Sequence, residues 1–298
     1  MKAVINTHEG TVIAEAEEPM PAANEALVAV RAFSVNRGEL ALLKTRTNGW
    51  RPGQDVAGVV VEAAADGSGP APGTRVVALV EQAGWAEQVA VPTGRLAVVP
   101  DEVGLEQAAA LPLAGLTALR TLRKGGVLLG RRVLITGANG GVGRFQVELA
   151  ALGGATVTAV ARQADELIKL GAHDVVVDPS VAAGSYHLIV ESVGGTSLAA
   201  ALGKVTPGGT IMLIGTSSGE KTPIDIYDFI GHEGARIVSH LSYAHPEPPA
   251  GDLEVLVELV AAGQLHPTLG LVEDWSKLQD VLAALRGRRV SGKVVLTL

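Results

Sequence analysis

At 298 residues the chain has room for one large domain or two of medium size, and a hydrophobic content of 47% supports a sizeable core. A formal net charge of −7 argues against nucleic acid and anionic membranes as main partners. With no cysteine there is no disulfide and no thiolate ligand or nucleophile. No apolar run approaches the roughly 18 residues of a membrane span. Met1-Lys-Ala-Val-Ile-Asn6 reads as a strand rather than a secretory leader, and a cytoplasmic protein is expected.

The first 110 or so residues read as β-rich, with short alternating segments at 25–31, 56–63, 75–79 and 87–91. Turn signals such as Asp66-Gly-Ser-Gly-Pro-Ala-Pro-Gly73 and Pro92-Thr-Gly94 separate them, which predicts a small barrel or sandwich. Residues 107–120 are helical in composition, with Pro112 forcing a break or kink. From Arg131 the rhythm is strand, helix, strand. Strands are predicted at 132–136, 156–161, 175–178, 187–192 and 210–215, and helices near 142–152, 164–171 and 196–203. Such alternation implies a parallel sheet covered on both faces. A further strand at 235–239 follows Pro223-Ile-Asp-Ile-Tyr-Asp-Phe-Ile230, then helices at 252–262 and 275–286. The apolar end, 292–298, is expected to return as a strand to the first domain.

The most informative stretch is Gly137-Ala-Asn-Gly-Gly-Val-Gly143, set between a predicted strand and a predicted helix. Such a turn exposes backbone N–H groups at a helix N-terminus, where a pyrophosphate binds. Gly140 allows close approach of the phosphates and Gly143 allows the helix to pack on the strand; Ala138 stands where the usual fingerprint has its first glycine. The strand before, the helix after and a second strand make this a dinucleotide site. A fold that prefers NAD usually carries Asp or Glu at the end of that second strand. Here it ends Val160-Ala-Arg-Gln163, with no carboxylate until Asp165, expected one turn into a helix. Arg162 suits a 2′-phosphate through its planar fork of donors, the alternative being a solvated arginine. NADPH is therefore the expected cofactor. Arg144 either assists or lies on the surface.

Motifs run from end to end of the chain: Ser34-Val-Asn-Arg-Gly38, Pro52-Gly-Gln-Asp-Val-Ala-Gly58, Pro72-Gly-Thr-Arg-Val76, Leu111-Pro-Leu-Ala-Gly-Leu-Thr-Ala118, the glycine turn, Glu191-Ser-Val-Gly-Gly195, Pro207-Gly-Gly209, Gly215-Thr-Ser-Ser-Gly219 and Ser291-Gly-Lys293. Their order and spacing are together specific, and on them the whole chain resembles the medium-chain dehydrogenase/reductase superfamily, in its zinc-free quinone oxidoreductase branch. The resemblance implies an α/β fold, a doubly wound parallel Rossmann sheet plus a GroES-like β-barrel domain. The expected bounds are 1–113 for the catalytic domain, 114–251 for the nucleotide domain and 252–298 for the return to the first. Two departures stand out: the segment after Asp178 is short, and a tyrosine that many relatives carry after the Val-Asn motif is absent.

By the same resemblance, Asn36, Gln54 and Leu113 fall where zinc-dependent members place ligands. Two amides and a leucine cannot make the N and S donor set that zinc requires. His232 lacks a second histidine at helical spacing, and His240 and His245 are separated by a proline-rich loop, so no metal is expected. Without a Lewis acid, an already activated acceptor is favoured, a quinone or an α,β-unsaturated carbonyl.

The resemblance places Thr117 beside the nicotinamide riboside phosphates, the alternative being a helix hydroxyl bonded to its own backbone. Asn139, Gly140, Gly141 and Val142 belong to the phosphate turn, Ser192 and Val193 to the adenine side, and Gly215, Thr216 and Ser217 to the crevice at a strand end. His240, Leu241 and Ser242 offer backbone to the carboxamide. Lys293 reaches the cofactor or is a surface lysine. Asn36 is the favoured oxyanion donor or nicotinamide anchor, against a turn asparagine bonded to its own backbone. Tyr243 is a candidate proton donor, against a pocket-wall or core tyrosine. Arg37 steers an anion or forms a structural pair, and Trp50 caps the substrate or packs under a loop. Competing functions are an enoyl reductase tailoring a secondary metabolite and a non-catalytic NADPH-binding structural or regulatory protein. RNA binding is disfavoured for want of a basic stripe. The apolar edge near 223–241 is of a kind that tends to pair, and the resemblance implies that it joins a two-fold mate, so a homodimer is expected.

Overall fold

In the computed structural model, which describes residues 1–244 and 247–298, the alternating N-terminal segments form seven strands. They are β1 (Lys2–Thr7), β2 (Gly10–Glu15), β3 (Glu25–Val35), β4 (Asp55–Glu62), β5 (Arg75–Leu79), β6 (Gln88–Pro92) and β7 (Leu96–Val98), with helix α1 (Arg37–Thr45) between β3 and β4. Strand β3 runs four residues past its expected end because Ala32, Phe33, Ser34 and Val35 are all buried. Period-two alternation stops where both faces are covered, and the strand goes on. Two helices follow, α2 (Leu105–Ala109) and α3 (Pro112–Lys124). Pro112 does not kink one long helix. It opens the second, where its missing N–H has no intrahelical partner to lose.

The next elements are β8 (Arg132–Thr136), α4 (Gly141–Leu152), β9 (Thr156–Val160), α5 (Asp165–Lys169), β10 (Asp174–Val176), β11 (Tyr186–Glu191), α6 (Gly195–Leu202), β12 (Val205–Leu213) and β13 (Arg236–Ser239). The chain ends with α7 (Ala250–Ala261), β14 (Leu269–Asp274), α8 (Leu278–Arg286) and β15 (Lys293–Thr297). The helix expected over 275–286 is split: a 3-10 turn, Trp275–Lys277, is capped by Asp274, whose Oδ1 accepts the Ser276 N–H at 2.9 Å, and α8 follows. Strands β2, β7 and β14 escaped the sequence reading.

The chain divides into two units, Met1–Leu116 with His245–Leu298, and Thr117–Ala244. In the first, seven strands form one sheet in the order β14-β15-β3-β4-β5-β7, with β6 also paired to β3. The C-terminal strand β15 lies antiparallel to β3, Val294 opposite Val35 and Leu296 opposite Phe33. Phe33 and Trp85 stack at 5.6 Å in the core of this unit, among Val28, Val56, Leu282 and Leu296.

In the second unit six parallel strands run in the order β10-β9-β8-β11-β12-β13. The chain winds outward from β8 through β9 to β10, then returns to β11 and winds the other way. The sheet therefore reverses direction between β8 and β11, which is where open α/β sheets bind ligands. Helix α4 meets its strand closely because Gly143 has no side chain: a Cβ there would lie 2.5 Å from the Gly137 carbonyl oxygen and 2.7 Å from Ala138 Cα. Both obstacles are backbone, so they cannot swing aside. Gly143→Ala is expected to lower the unfolding free energy by about 1–3 kcal/mol. Gly251→Ala, at an α7 position with nothing within 4 Å of the added carbon, is expected to be neutral or stabilising. Urea denaturation of both variants checks the contrast.

Candidate active site

In the second unit the segments following β8, β11 and β12 converge at the C-terminal rim of the sheet. Gly137 takes φ +62, and a Cβ there would sit 2.5 Å from Ser192 Oγ, so the turn after β8 and the segment after β11 pack directly. Ser192 donates from Oγ to the Thr136 carbonyl at 2.9 Å and from its N–H to Thr136 Oγ1 at 2.9 Å. Ser217 and Ser218 donate N–H bonds back to the carbonyls of Ser192 and Val193, at 3.0 and 2.8 Å. The structure thus brings Gly137, Ser192, Val193 and Ser217 together.

A buried carboxylate organises this rim. Glu191, fully buried, ends β11 and accepts from Thr136 Oγ1 at 3.0 Å, Ser197 Oγ at 2.9 Å, the Gly194 N–H at 2.9 Å and the Val193 N–H at 3.1 Å. No role was read for it in the sequence. Its signal there is a charge at the end of an apolar strand.

Gly140 caps α4, and Gly141 and Val142 open it. The first N–H groups of a helix lack intrahelical partners, and a twelve-residue helix adds its dipole. Asn139 donates from Nδ2 to the Gln163 carbonyl at 3.0 Å, which ties the glycine turn to the segment carrying Arg162. Arg162 stands exposed two residues beyond β9. Asp165 is the first residue of α5, not one turn into it. Arg144 is buried, which removes its surface alternative, and its Nη2 lies 3.3 Å from Asn139 Oδ1. Burial lowers its pKa from the usual arginine value, while Glu166 raises it. The cradle of Gly137, Gly140 and Gly143 beside a helix N-terminus fits a dinucleotide pyrophosphate.

Also within this unit, the Thr117 hydroxyl lies 2.7 Å from that of Ser242, and Lys124 Nζ lies 3.3 Å from Nδ1 of the buried His240. These contacts hold the segment of His240, Leu241 and Ser242 against α3; Lys124 was not anticipated. Tyr243 is 83% exposed, so it is not a core tyrosine.

In the first unit a buried polar cluster sits where β3, β4 and β15 begin or end side by side. Asp55 Oδ2 accepts from Ser34 Oγ at 2.5 Å, Asn36 Nδ2 at 2.8 Å and Lys293 Nζ at 3.2 Å, and its Oδ1 accepts the Leu113 N–H at 2.8 Å. Lys293 also donates to Asn36 Oδ1 at 2.5 Å. The Lys293 side chain is 4% exposed and that of Asp55 0%, so Lys293 is no surface lysine. Asn36 caps α1 with its backbone, while its side chain bonds Asp55 and Lys293 rather than its own main chain. Glu39 Oε2 accepts the Asn36 N–H at 2.8 Å and Oε1 accepts the Gln54 N–H at 3.0 Å. Trp50 packs against the core under Arg46, whose guanidinium carbon is 5.2 Å from the ring centre. Arg37 is exposed.

These residues do not fit zinc. Asn36 offers its one ligating oxygen to an ammonium, Leu113 offers an N–H, and Lys293 already supplies the positive charge beside Asp55. Among the described residues no group of three His, Cys, Asp or Glu side chains is placed to hold a metal ion. His245 lies outside the described residues. No helix among them is long and apolar enough to cross a membrane.

Comparison with known proteins agrees with this architecture. Residues 22–104 match the family described as alcohol dehydrogenase GroES-like domain, and residues 162–296 match zinc-binding dehydrogenase. The chain is 30% identical to the chloroplast envelope quinone oxidoreductase homolog of Arabidopsis thaliana, over 93% of this chain and 91% of that protein. It is 31% identical to the mitochondrial NAD(P)H oxidoreductase RTN4IP1 of Bos taurus, over 82% of this chain and 69% of that one. In fold it is similar to the Escherichia coli quinone oxidoreductase solved in complex with NADPH, with a TM-score of 0.89, 20% identity and full coverage of both chains.

Glu39 gives the first unit a pH dependence. Full burial, and secondly the nearby Asp55 carboxylate, push its carboxyl from 4.5 up to about 8, against the pull of the Asn36 and Gln54 N–H groups and Lys293. The unfolded chain releases this proton near the ordinary carboxyl value, whereas the folded chain keeps it until about pH 8. The associated stability is full below pH 4.5 and is lost as pH rises through about 8. Unfolding free energies from urea titrations are expected to fall across that window. In Glu39→Gln the fall is expected to be shallower, whatever the fixed cost of the substitution.

Proposed function

The chain belongs to the medium-chain dehydrogenase/reductase superfamily, in its quinone oxidoreductase-like branch, and on that footing we propose that it is a zinc-independent, NADPH-dependent oxidoreductase acting on a quinone or an α,β-unsaturated carbonyl. The observation that carries the reading is the convergence of the glycine turn, Ser192–Val193 and Ser217 at the point where the parallel sheet reverses. Relatives named as quinone and NAD(P)H oxidoreductases support the same reading.

In this reading the glycine turn and the first turn of α4 hold the pyrophosphate, with Asn139, Gly140, Gly141 and Val142 in contact with it. Arg162 takes the 2′-phosphate with its fork of donors. Ser192 and Val193 flank the adenine side, and Gly215, Thr216 and Ser217 border the crevice. Thr117, His240 and Leu241 serve the nicotinamide end. A reduced nicotinamide, when bound, supplies a hydride. The Asn36 amide would donate a hydrogen bond to the acceptor's oxygen, where negative charge would gather during reduction. A proton from solvent or the Tyr243 hydroxyl completes the reduction. Lys293 serves through Asn36 and Asp55, since its ammonium is already bonded to both. No step calls on a metal, because the donor set beside Asp55 does not suit one.

The same reading makes the protein a homodimer. Strand β13 is the edge of the parallel sheet, and Ile224, Ile226, Tyr227, Ile230 and Val238 on or before it are exposed. An apolar edge of this kind is satisfied by pairing with a second copy.

NADPH oxidation followed at the nicotinamide absorbance, with a panel of quinones and enones, tests the activity; binding of NADPH without acceptor-dependent oxidation refutes it. Arg162→Ala is expected to raise KM for NADPH far more than KM for NADH, and equal effects remove Arg162 from the phosphate site. Asn36→Ala is expected to lower kcat by roughly 10²–10³. A dimer is expected by light scattering at micromolar concentration, and a monomer refutes the pairing.

A further inference from the structure

We propose that Lys293 and Asp55 form a positioning pair that fixes which way the Asn36 amide faces, making its second N–H a directed donor to the acceptor's oxygen; this rests on the role given to Asn36 above. A primary amide has two orientations of almost the same shape, and only its neighbours distinguish oxygen from nitrogen. Here Oδ1 faces the Lys293 ammonium at 2.5 Å and Nδ2 faces Asp55 Oδ2 at 2.8 Å. Turning the amide over would set its NH₂ against an ammonium and its oxygen against a carboxylate. Two attractions would become two repulsions, between side chains only 4% and 0% exposed, where water screens them little.

The cluster leaves one group uncommitted. Asn36 Nδ2 carries two hydrogens and gives one to Asp55; among the described residues the structure shows no partner for the other. Asn36 is 9% exposed, and that exposed part is assigned to the second N–H. Its neighbours are occupied. Asp55 accepts from four donors, and Lys293 donates to two oxygens. The Asn36 main chain is held as well, since Glu39 Oε2 accepts its N–H at 2.8 Å. Lys293 and Asp55 are thus positioning residues, and Asn36 is the one that touches substrate.

The test is a double-mutant cycle of Asn36→Ala and Lys293→Met, in a wild-type background whose turnover with NADPH and one acceptor has been measured. Lys293→Met alone is expected to lower kcat by about tenfold or more, and to add nothing in the Asn36→Ala background, because a lock has no effect once its amide is gone. Lys293→Arg is expected to restore part of the loss. If Lys293→Met fails to fold because Asp55 is left buried and unpaired, Asp55→Asn/Lys293→Met balances the charge and takes its place in the cycle. A second readout needs neither cofactor nor turnover: in the ¹⁵N spectrum of the free protein, one Asn36 side-chain proton is expected far downfield through its bond to Asp55, and to lose that shift in Asp55→Asn/Lys293→Met, where both orienting charges are gone. Multiplicative losses in the cycle, or an unchanged Asn36 signal, overturn the inference while leaving the proposed activity standing. A wild type inert towards the whole acceptor panel overturns both.

Discussion

The carboxylate of Asp55 is the constraint on which the first unit depends. It opens β4, lies opposite Ser34 of β3, and receives the ammonium of Lys293 at the start of β15. One group thereby joins three adjacent strands and the first turn of α3, whose Leu113 N–H it also accepts. A buried ion is tolerated only when paired and hydrogen-bonded, and losing one partner of such a pair typically costs about 3–5 kcal/mol. Asp55 meets that condition with four donors. The arrangement also explains why residues nearly 240 positions apart belong to one site: β15 must return beside β3 for the carboxylate to be neutralised.

The second unit uses a similar device on a different scaffold. Glu191 ends an apolar strand, is fully buried, and accepts hydrogen bonds from side chains and main-chain N–H groups of the segments around it. It contributes rigidity to the C-terminal rim of the sheet, so that the glycine turn and the segments after β11 and β12 are held before any ligand arrives. In both units a carboxylate organises its surroundings, and the groups proposed to meet ligand are amides, hydroxyls and backbone N–H groups. Preorganised donors of this kind cost no rearrangement during reaction.

Much of the fold was legible along the chain. The strand at Arg132–Thr136, the glycine turn and helix α4 stand almost where local pattern puts them, because turn chemistry and apolar period are local properties. Element ends were less legible. Strand β3 outlasts its alternation because a second covered face removes the polar half of the pattern, and β2, β7 and β14 are too short or too exposed to carry one. Pro112 was legible as a breaker, but whether it kinks a helix or begins one depends on what precedes it.

The sequence by itself determined the strand–helix alternation of a parallel sheet and the glycine turn, since each follows from residue type and spacing over a few tens of positions; the double winding and the want of a zinc donor set were implied by the family resemblance. Only the tertiary structure decided the fate of the isolated charges. Lys293 reads equally well as a surface lysine, Arg144 as a solvated one and Tyr243 as a core ring, and the fold buries the first two and exposes the third. A single polar residue carries no period, so its burial and partners are set by strands that meet across hundreds of residues. Asn36 shows the difference most clearly: its motif marks it as a candidate, but the direction of its amide exists only once Lys293 and Asp55 have closed on it from two other strands.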